Sequence, residues 1–287
     1  MELGEMECTF HPEACLFMII FQKKNQDLFW RMDFRLVNAF VENTSYDRFF
    51  KLPFNIISCR CEAEDAPESF IRNERTGECF HARSNQLLFI PSGLPMFIHR
   101  RADFFCYDLH FTLEHWPGRD LFSGLENIMD LSSQFKAAEL KSIFAESDPR
   151  IAAARMRSFV FRISASILPE TREQREWRFL PLTRKVRDTV SAEWSVARMA
   201  EEAHMSQGAF SREFSANMGC TARQFLQKEL LLKALSLLGT GEKTVQAVAG
   251  ELHFSSPFYF SKFFRKAYGM PPSEYVKSCT SRFGPGK

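Results

Sequence analysis

Residues 253–272 read HFSSPFYFSKFFRKAYGMPP, seven aromatic side chains and three fixed positive charges within twenty positions. At 100° per residue, Phe260, Phe264 and Ala267 share one helix face with Phe263 at its flank, while Phe258, Tyr259, Lys262, Arg265 and Lys266 lie opposite. The segment therefore reads as a helix with an apolar side to bury and a cationic, aromatic side to present. Ser256 stands where an N-cap accepts an orphan backbone N–H. Pro257 falls at the first helical position, where its missing N–H costs nothing. Gly269 suits a left-handed stop, and Pro271-Pro272 keep the helix from continuing.

The same pattern occurs once before. Phe210-Ser211-Arg212-Glu213-Phe214, then Gly219, Ala222 and Phe225-Leu226, is matched fifty residues on by Phe260-Ser261-Lys262-Phe263-Phe264, Gly269, Pro272 and Tyr275-Val276. Ahead of each copy lie a short helical stretch (196–203; 245–252) and a brief turn, so each unit reads as a helix-turn-helix whose second helix enters a groove. A helix over 222–238 joins them, opened by the capping box Thr221-Ala222-Arg223-Gln224. Ser195, Ser206 and Thr244 cap the other helix starts, and helices at 182–192 and from 273 complete the set.

These residues closely resemble the C-terminal domain of the AraC/XylS family of bacterial transcription regulators. The resemblance covers about 183–280 and rests on Phe254-Ser255-Ser256, Tyr259 to Lys262, Phe264-Arg265-Lys266, Gly269, Pro272 and Tyr275 at fixed spacing. It implies seven helices and two helix-turn-helices entering successive major-groove segments on one face of double-stranded DNA. Three departures from the family pattern stand out: His253 replaces the usual turn glycine, Leu230 a common arginine, and Gly208-Ala209 the larger side chains that would probe bases.

The expected DNA contacts follow from the faces opposite the core. In the second reader helix, Lys262 reaches a base edge or a phosphate, and Arg265 and Lys266 suit phosphates. Phe258 and Tyr259 lie at its start, near a thymine methyl, with packing on the neighbouring helix the alternative for Tyr259. In the first reader helix, Gln207, Ser211 and Arg212 face outward, and Arg212 is the main contact.

Charge agrees with this division. Residues 182–287 carry 15 Lys+Arg against 9 Asp+Glu, whereas residues 1–181 carry 22 against 26, so a net charge of +2 hides a basic C-terminal part that suits a polyanion. A composition 45% hydrophobic and 25% charged is globular rather than disordered. The apolar run Leu16 to Phe21 is too short for a membrane span. The eight cysteines form no Cys-x-x-Cys pair, and Cys59 and Cys61 would share one side of a strand; buried thiols in a reducing cytoplasm are the expectation.

Up to about Phe111 the chain reads as β, with strands at 56–61, 78–81, 86–90 and 104–111 separated by turns such as Arg75-Thr76-Gly77 and Pro91-Ser92-Gly93. Helices follow at 134–145 and 150–168, the second carrying a stripe of Met156, Phe159, Val160, Ile163 and Ile167 that either packs on its own barrel or pairs subunits. Pro169 should end it, and charged residues 170–178 read as linker. Gln86 to Gly93 with Phe97-Ile98 and the run Phe105 to Phe111 resemble the cupin-like sensor barrel of many such regulators. No His-x-His pair occurs and Met96 holds the later ligand position, so His81, His99 and His110 read as strand residues and no metal is expected.

The expectation is thus an α+β protein: a cupin-like β-barrel with flanking helices for sensing or dimerisation (1–169), a linker (170–181), and an all-α tandem helix-turn-helix domain (182–281). Expected partners are DNA, a small-molecule effector or a second copy of the chain for the barrel, and RNA polymerase if the protein activates. No cofactor, membrane or catalytic residue is expected. A ligand-independent DNA-binding protein is the alternative. A cupin-fold enzyme would need the missing histidines, and an alkyl-accepting repair protein a reactive, zinc-tuned cysteine cluster.

Overall fold

The computed structural model describes residues 32–42, 45–60, 64–101, 105–168 and 178–280. The apolar run at 16–21, Cys61, Pro169 and most of the expected linker lie outside them.

The expected α+β architecture is what the chain adopts. The N-terminal domain has two antiparallel sheets. One has the order β1 (Asp33–Glu42), β8 (Cys106–Trp116), β3 (Asn55–Cys59), β6 (Leu87–Ile90), β10 (Met129–Asp130), with β9 (Arg119–Asp120) paired to β8. The other runs β2 (Tyr46–Lys51), β7 (Pro95–Arg100), β4 (Ala66–Asn73), β5 (Cys79–Ala82). Helices α1 (Ala137–Phe144) and α2 (Pro149–Ile167) flank the larger sheet.

The expected strands occur with shifted ends, but β1, β2, β4, β7 and the two-residue β9 and β10 were not anticipated. Edge position explains β1 and β2: each lies at the margin of its sheet, and in β2 the exposed Asp47, Phe49 and Lys51 break up the apolar pattern. Pro67 and Glu68 mask β4 in the same way.

Strand β8 decides how the layers stack. Leu109, Phe111 and Leu113 point to one side and share a core with Phe159, Val160, Ile163 and Ile167 of α2, which settles the α2 stripe as packing on its own barrel. The alternate side is polar yet buried: Asp108, His110, Thr112 and Glu114. Alternation along a strand puts all four on one face, and that face looks into the barrel and toward the helical domain.

The C-terminal helices are α3 (Leu180–Asp188), α4 (Val196–Glu202), α5 (Gln207–Met218), α6 (Ala222–Gly239), α7 (Val245–Glu251), α8 (Pro257–Tyr268) and α9 (Pro272–Thr280). Ser195, Ser206, Thr244 and Ser256 each cap a helix through the side-chain oxygen, and Thr221 and Gln224 complete the capping box. Gly219 and Gly269 stop α5 and α8 at φ +70° and +95°. The helix expected at 182–192 instead spans Leu180–Asp188, because Pro181 supplies a helical start two residues earlier and Thr189 leaves helical geometry, its hydroxyl bonding Lys185 O at 2.7 Å.

The two domains share a core. Phe50, Phe54, Ile56, Met96 and Ile98 of the barrel pack in one cluster with Leu231, Leu235, Phe260, Phe264, Tyr268 and Tyr275. At the other end of the interface the β8–β9 hairpin turns at Gly118, φ +90°, beneath the ring of Phe225. A Cβ on Gly118 would lie 2.5 Å from that ring, so only glycine permits both the turn and the contact. Gly118→Ala should lower unfolding free energy by about 1–3 kcal/mol in urea titration; an unchanged midpoint would show that the hairpin does not press on α6.

Candidate nucleic-acid interface

Each helix-turn-helix is built around a buried aromatic pair. Phe210 and Phe214 of α5 are fully buried against Phe179 and Phe225, and Phe260 and Phe264 of α8 against Phe254, Tyr268 and Tyr275. Fixing these rings at one face of each helix turns the opposite face outward.

Gln207, Arg212, Phe258, Tyr259, Lys262, Arg265 and Lys266 are all exposed. Ser211 is half-buried, and its hydroxyl donates to Gln207 O at 2.8 Å within α5. Phe258 and Tyr259 are 71% and 58% exposed, large values for aromatic rings, and stand edge-on 5.8 Å apart. Tyr259 is thus turned outward rather than packed on a neighbouring helix. No carboxylate among the described residues pairs with Arg212, Lys262, Arg265 or Lys266.

Both turns are closed by a histidine. His204 (φ 53°) and His253 (φ 57°) adopt left-handed backbone. The following residues complete matching loops, Met205 N to Ala200 O and Phe254 N to Ala249 O, each at 2.9 Å. This is a Schellman-type helix stop with histidine at the position that favours glycine. The departure at 253 is therefore geometric, and His204 repeats it. His253 Nδ1 also lies 3.2 Å from Glu193 Oε1, and Ala192 N donates to Leu252 O at 2.8 Å, so the second turn is tied to the segment leading into α4.

A buried charge cluster joins the helical domain to the barrel. Glu114 of β8 is buried and accepts from Lys228 Nζ at 2.7 Å, from Arg187, and from Arg35 at 3.3 Å. Glu229, also buried, accepts from Arg35 at 2.9 Å and Arg187 at 3.0 Å, and Arg187 donates to Asp33 at 2.6 Å. Burial alone would push the Glu114 carboxyl up, but Lys228, Arg187 and Arg35 outweigh it and hold the group well below the usual carboxylate range. Asp120, opposite Glu114 across the β8–β9 pair, goes the other way. Burial pushes it to about 6, helped by the Glu114 charge and only partly offset by Lys228, Phe122 N–H and Asn55.

Sequence reasoning missed this cluster. Its signal lay in α6, where Glu229 interrupts the apolar stripe Ala222, Phe225, Leu232 at helical spacing, and in the alternate polar positions of β8.

Between the sheets a small cavity is lined by Tyr46, Ile56, Ile71, Ile98, Arg100 and Asp108 and capped by Tyr268 and Met270, which flank the stop of α8.

Residues 199–278 match a family model described as a helix-turn-helix domain. A helix-turn-helix transcriptional regulator of Haemophilus influenzae is 36% identical over 86 residues, 30% of this chain and 29% of its own length. The regulator MtrA of Neisseria gonorrhoeae is 31% identical over 96 residues, 33% of this chain and 32% of its own. Residues 199–278 thus form a helix-turn-helix domain. The match spans about a third of the length of those relatives. ToxT of Vibrio cholerae has a similar fold across both domains: a single-residue variant of it in apo form superposes with a TM-score of 0.58 at 13% identity, covering 85% of this chain and 97% of that one. ToxT has also been solved with an unsaturated fatty acid bound, with a TM-score of 0.56, 13% identity and coverage of 85% and 94%. In this domain α5 and α8 are the second helices of the two motifs.

The Asp120 shift carries a signed consequence. A carboxyl raised from 3.8 to about 6 stabilises the folded state fully below about pH 4, and that contribution is lost as pH rises through 6. In Asp120→Asn this component is absent. The variant should gain about 1–3 kcal/mol relative to wild type between pH 4 and pH 7, read from urea midpoints. A constant difference across that range would contradict the assignment.

Proposed function

We propose that this chain is a sequence-specific DNA-binding transcription regulator, with residues 182–281 reading DNA, 170–181 linking, and 1–169 forming the control domain. The observation that carries the reading is the pair of outward helix faces. Two copies of one motif bury their aromatic stripes and leave Arg212 on one reader helix and Lys262, Arg265 and Lys266 on the other without carboxylate partners among the described residues. A duplex answers such a surface with phosphates at the helix ends and base edges in the major groove.

The two readers are unequal. The α8 face combines three cations with the exposed rings of Phe258 and Tyr259, whereas the α5 face has Gln207 and Arg212, with Gly208 beside them and the Ser211 hydroxyl engaged. The second motif supplies most of the base discrimination and the first mainly positions the protein. RNA polymerase is a further partner if the protein activates.

For the barrel, the reading is a small-molecule effector taken up between the sheets. Its support is the cavity capped by Tyr268 and Met270, residues of the DNA-reading domain itself. That ToxT, a protein of similar fold, has been solved with an unsaturated fatty acid agrees with a ligand-responsive barrel. The α2 stripe is occupied by the barrel core, so pairing of two copies would use another surface.

Lys262→Ala and Arg212→Ala should each weaken binding to a selected site by about 1–3 kcal/mol. Lys262→Ala should also relax sequence preference, and Arg212→Ala should weaken related sites evenly. Fluorescence anisotropy on a panel of single-base variants separates the two, and unchanged binding by both variants would remove these helices from the interface.

A further inference from the structure

We infer that the barrel cavity is built for an uncharged, mainly apolar molecule ending in a hydroxyl group, and that such a molecule competes with the second helix-turn-helix for the cavity mouth. The inference rests on the effector reading above and specifies its chemistry.

The walls set the body of the ligand. Leu52, Ile56, Ile71, Ile90 and Ile98 line the cavity together with aromatic rings, and such a surface gains by removing aliphatic area from water. One end is different. Arg100 and Asp108 both face the cavity, and each is only 4% exposed. The guanidinium lies 3.5 Å from Asp108 Oδ2, which also accepts from Cys106 Sγ at 3.2 Å. The other oxygen, Oδ1, is buried with no hydrogen-bond partner among the described residues. A buried carboxylate oxygen left without a partner is costly, and a donor from a ligand entering beside Asp108 would satisfy it.

The neighbouring charges select among donors. Arg100 and Asp108 largely cancel; the other titratable side chains lining the cavity are Tyr46, Tyr268 and His110, the last stacked on Phe54 with ring centroids 4.8 Å apart. A carboxylate ligand would bring a second anion against Asp108, and an ammonium ligand a second cation against Arg100. A hydroxyl meets both groups without added charge: its O–H donates to Asp108 Oδ1 and its oxygen accepts from Arg100.

Volume makes the site a switch. The cavity is about 50 Å³, room for a few waters and well below the roughly 300–1,000 Å³ of ordinary ligand pockets. A ligand of useful size needs the mouth opened. The helical domain's part of the lining is Tyr268 and Met270, on either side of Gly269, whose φ of +95° turns the chain from α8 towards α9. Occupation of the cavity thus withdraws the end of the reader helix from the barrel, while the charge cluster at Glu114 continues to hold α3 and α6.

The test compares 1-decanol, decanoate and decylamine, equal in chain length, by calorimetry on the full chain. The alcohol should bind about tenfold more tightly than either charged probe, and Asp108→Asn should bring the alcohol and decanoate affinities together. Decanoate or decylamine binding as tightly as the alcohol would overturn the head-group assignment while leaving an apolar effector site in place. Alcohol binding that is indifferent to Asp108→Asn would overturn the location. No binding by any probe would overturn the effector reading itself.

Discussion

The carboxylate of Glu114 has no exposure to solvent and stays ionised only because Lys228, Arg187 and Arg35 surround it. Two of those cations belong to the helical domain, on α3 and α6, and the third, on β1, also reaches Glu229 of α6. Deleting one of these partners would leave a buried charge uncompensated, a penalty of about 3–5 kcal/mol. The net stabilisation of the intact cluster is small, because each ion was dehydrated to enter it. Its effect is geometric: it fixes where α6 lies on the barrel, and α6 joins the two DNA-reading motifs.

From that anchor the rest of the interface follows along one strand. Glu114 marks one end of the buried polar face of β8, and Asp108 and His110 lie further back in the cavity under Tyr268. The first motif is thus held near the charge cluster and the Gly118–Phe225 contact, and the second over the barrel mouth, where Asn38 donates to the Tyr275 hydroxyl at 3.1 Å and Arg48 pairs with Glu274 at 2.9 Å. The two attachments differ in kind. The first is a buried charge cluster, whereas the second, beside its polar contacts, includes Tyr268 and Met270 of the cavity lining, so under the proposed effector reading a ligand acts chiefly on α8.

Much of the helical domain was legible because its signals are local. Capping hydroxyls, stop glycines and the Phe210/Phe214 and Phe260/Phe264 stripes all act within one or two helical turns, and each held. The β domain was less legible because edge strands such as β2 carry charge on their solvent side and lose the apolar alternation that marks a strand. The domain junction was least legible. Arg35, Glu114, Arg187 and Glu229 meet across as many as 194 residues of sequence, and no spacing rule joins them. What the sequence does display is the anomaly each creates locally, a carboxylate on an apolar helix stripe or a polar run on a buried strand, which marks a burial problem without naming its partner.

The central claim is that α5 and α8 read DNA together from one rigid face. Hydroxyl-radical footprinting of the full chain on a selected site tests this most directly. The account predicts two protected segments about one helical turn apart, roughly 10 base pairs, on the same side of the duplex. A single protected segment, or two on opposite sides, would contradict it.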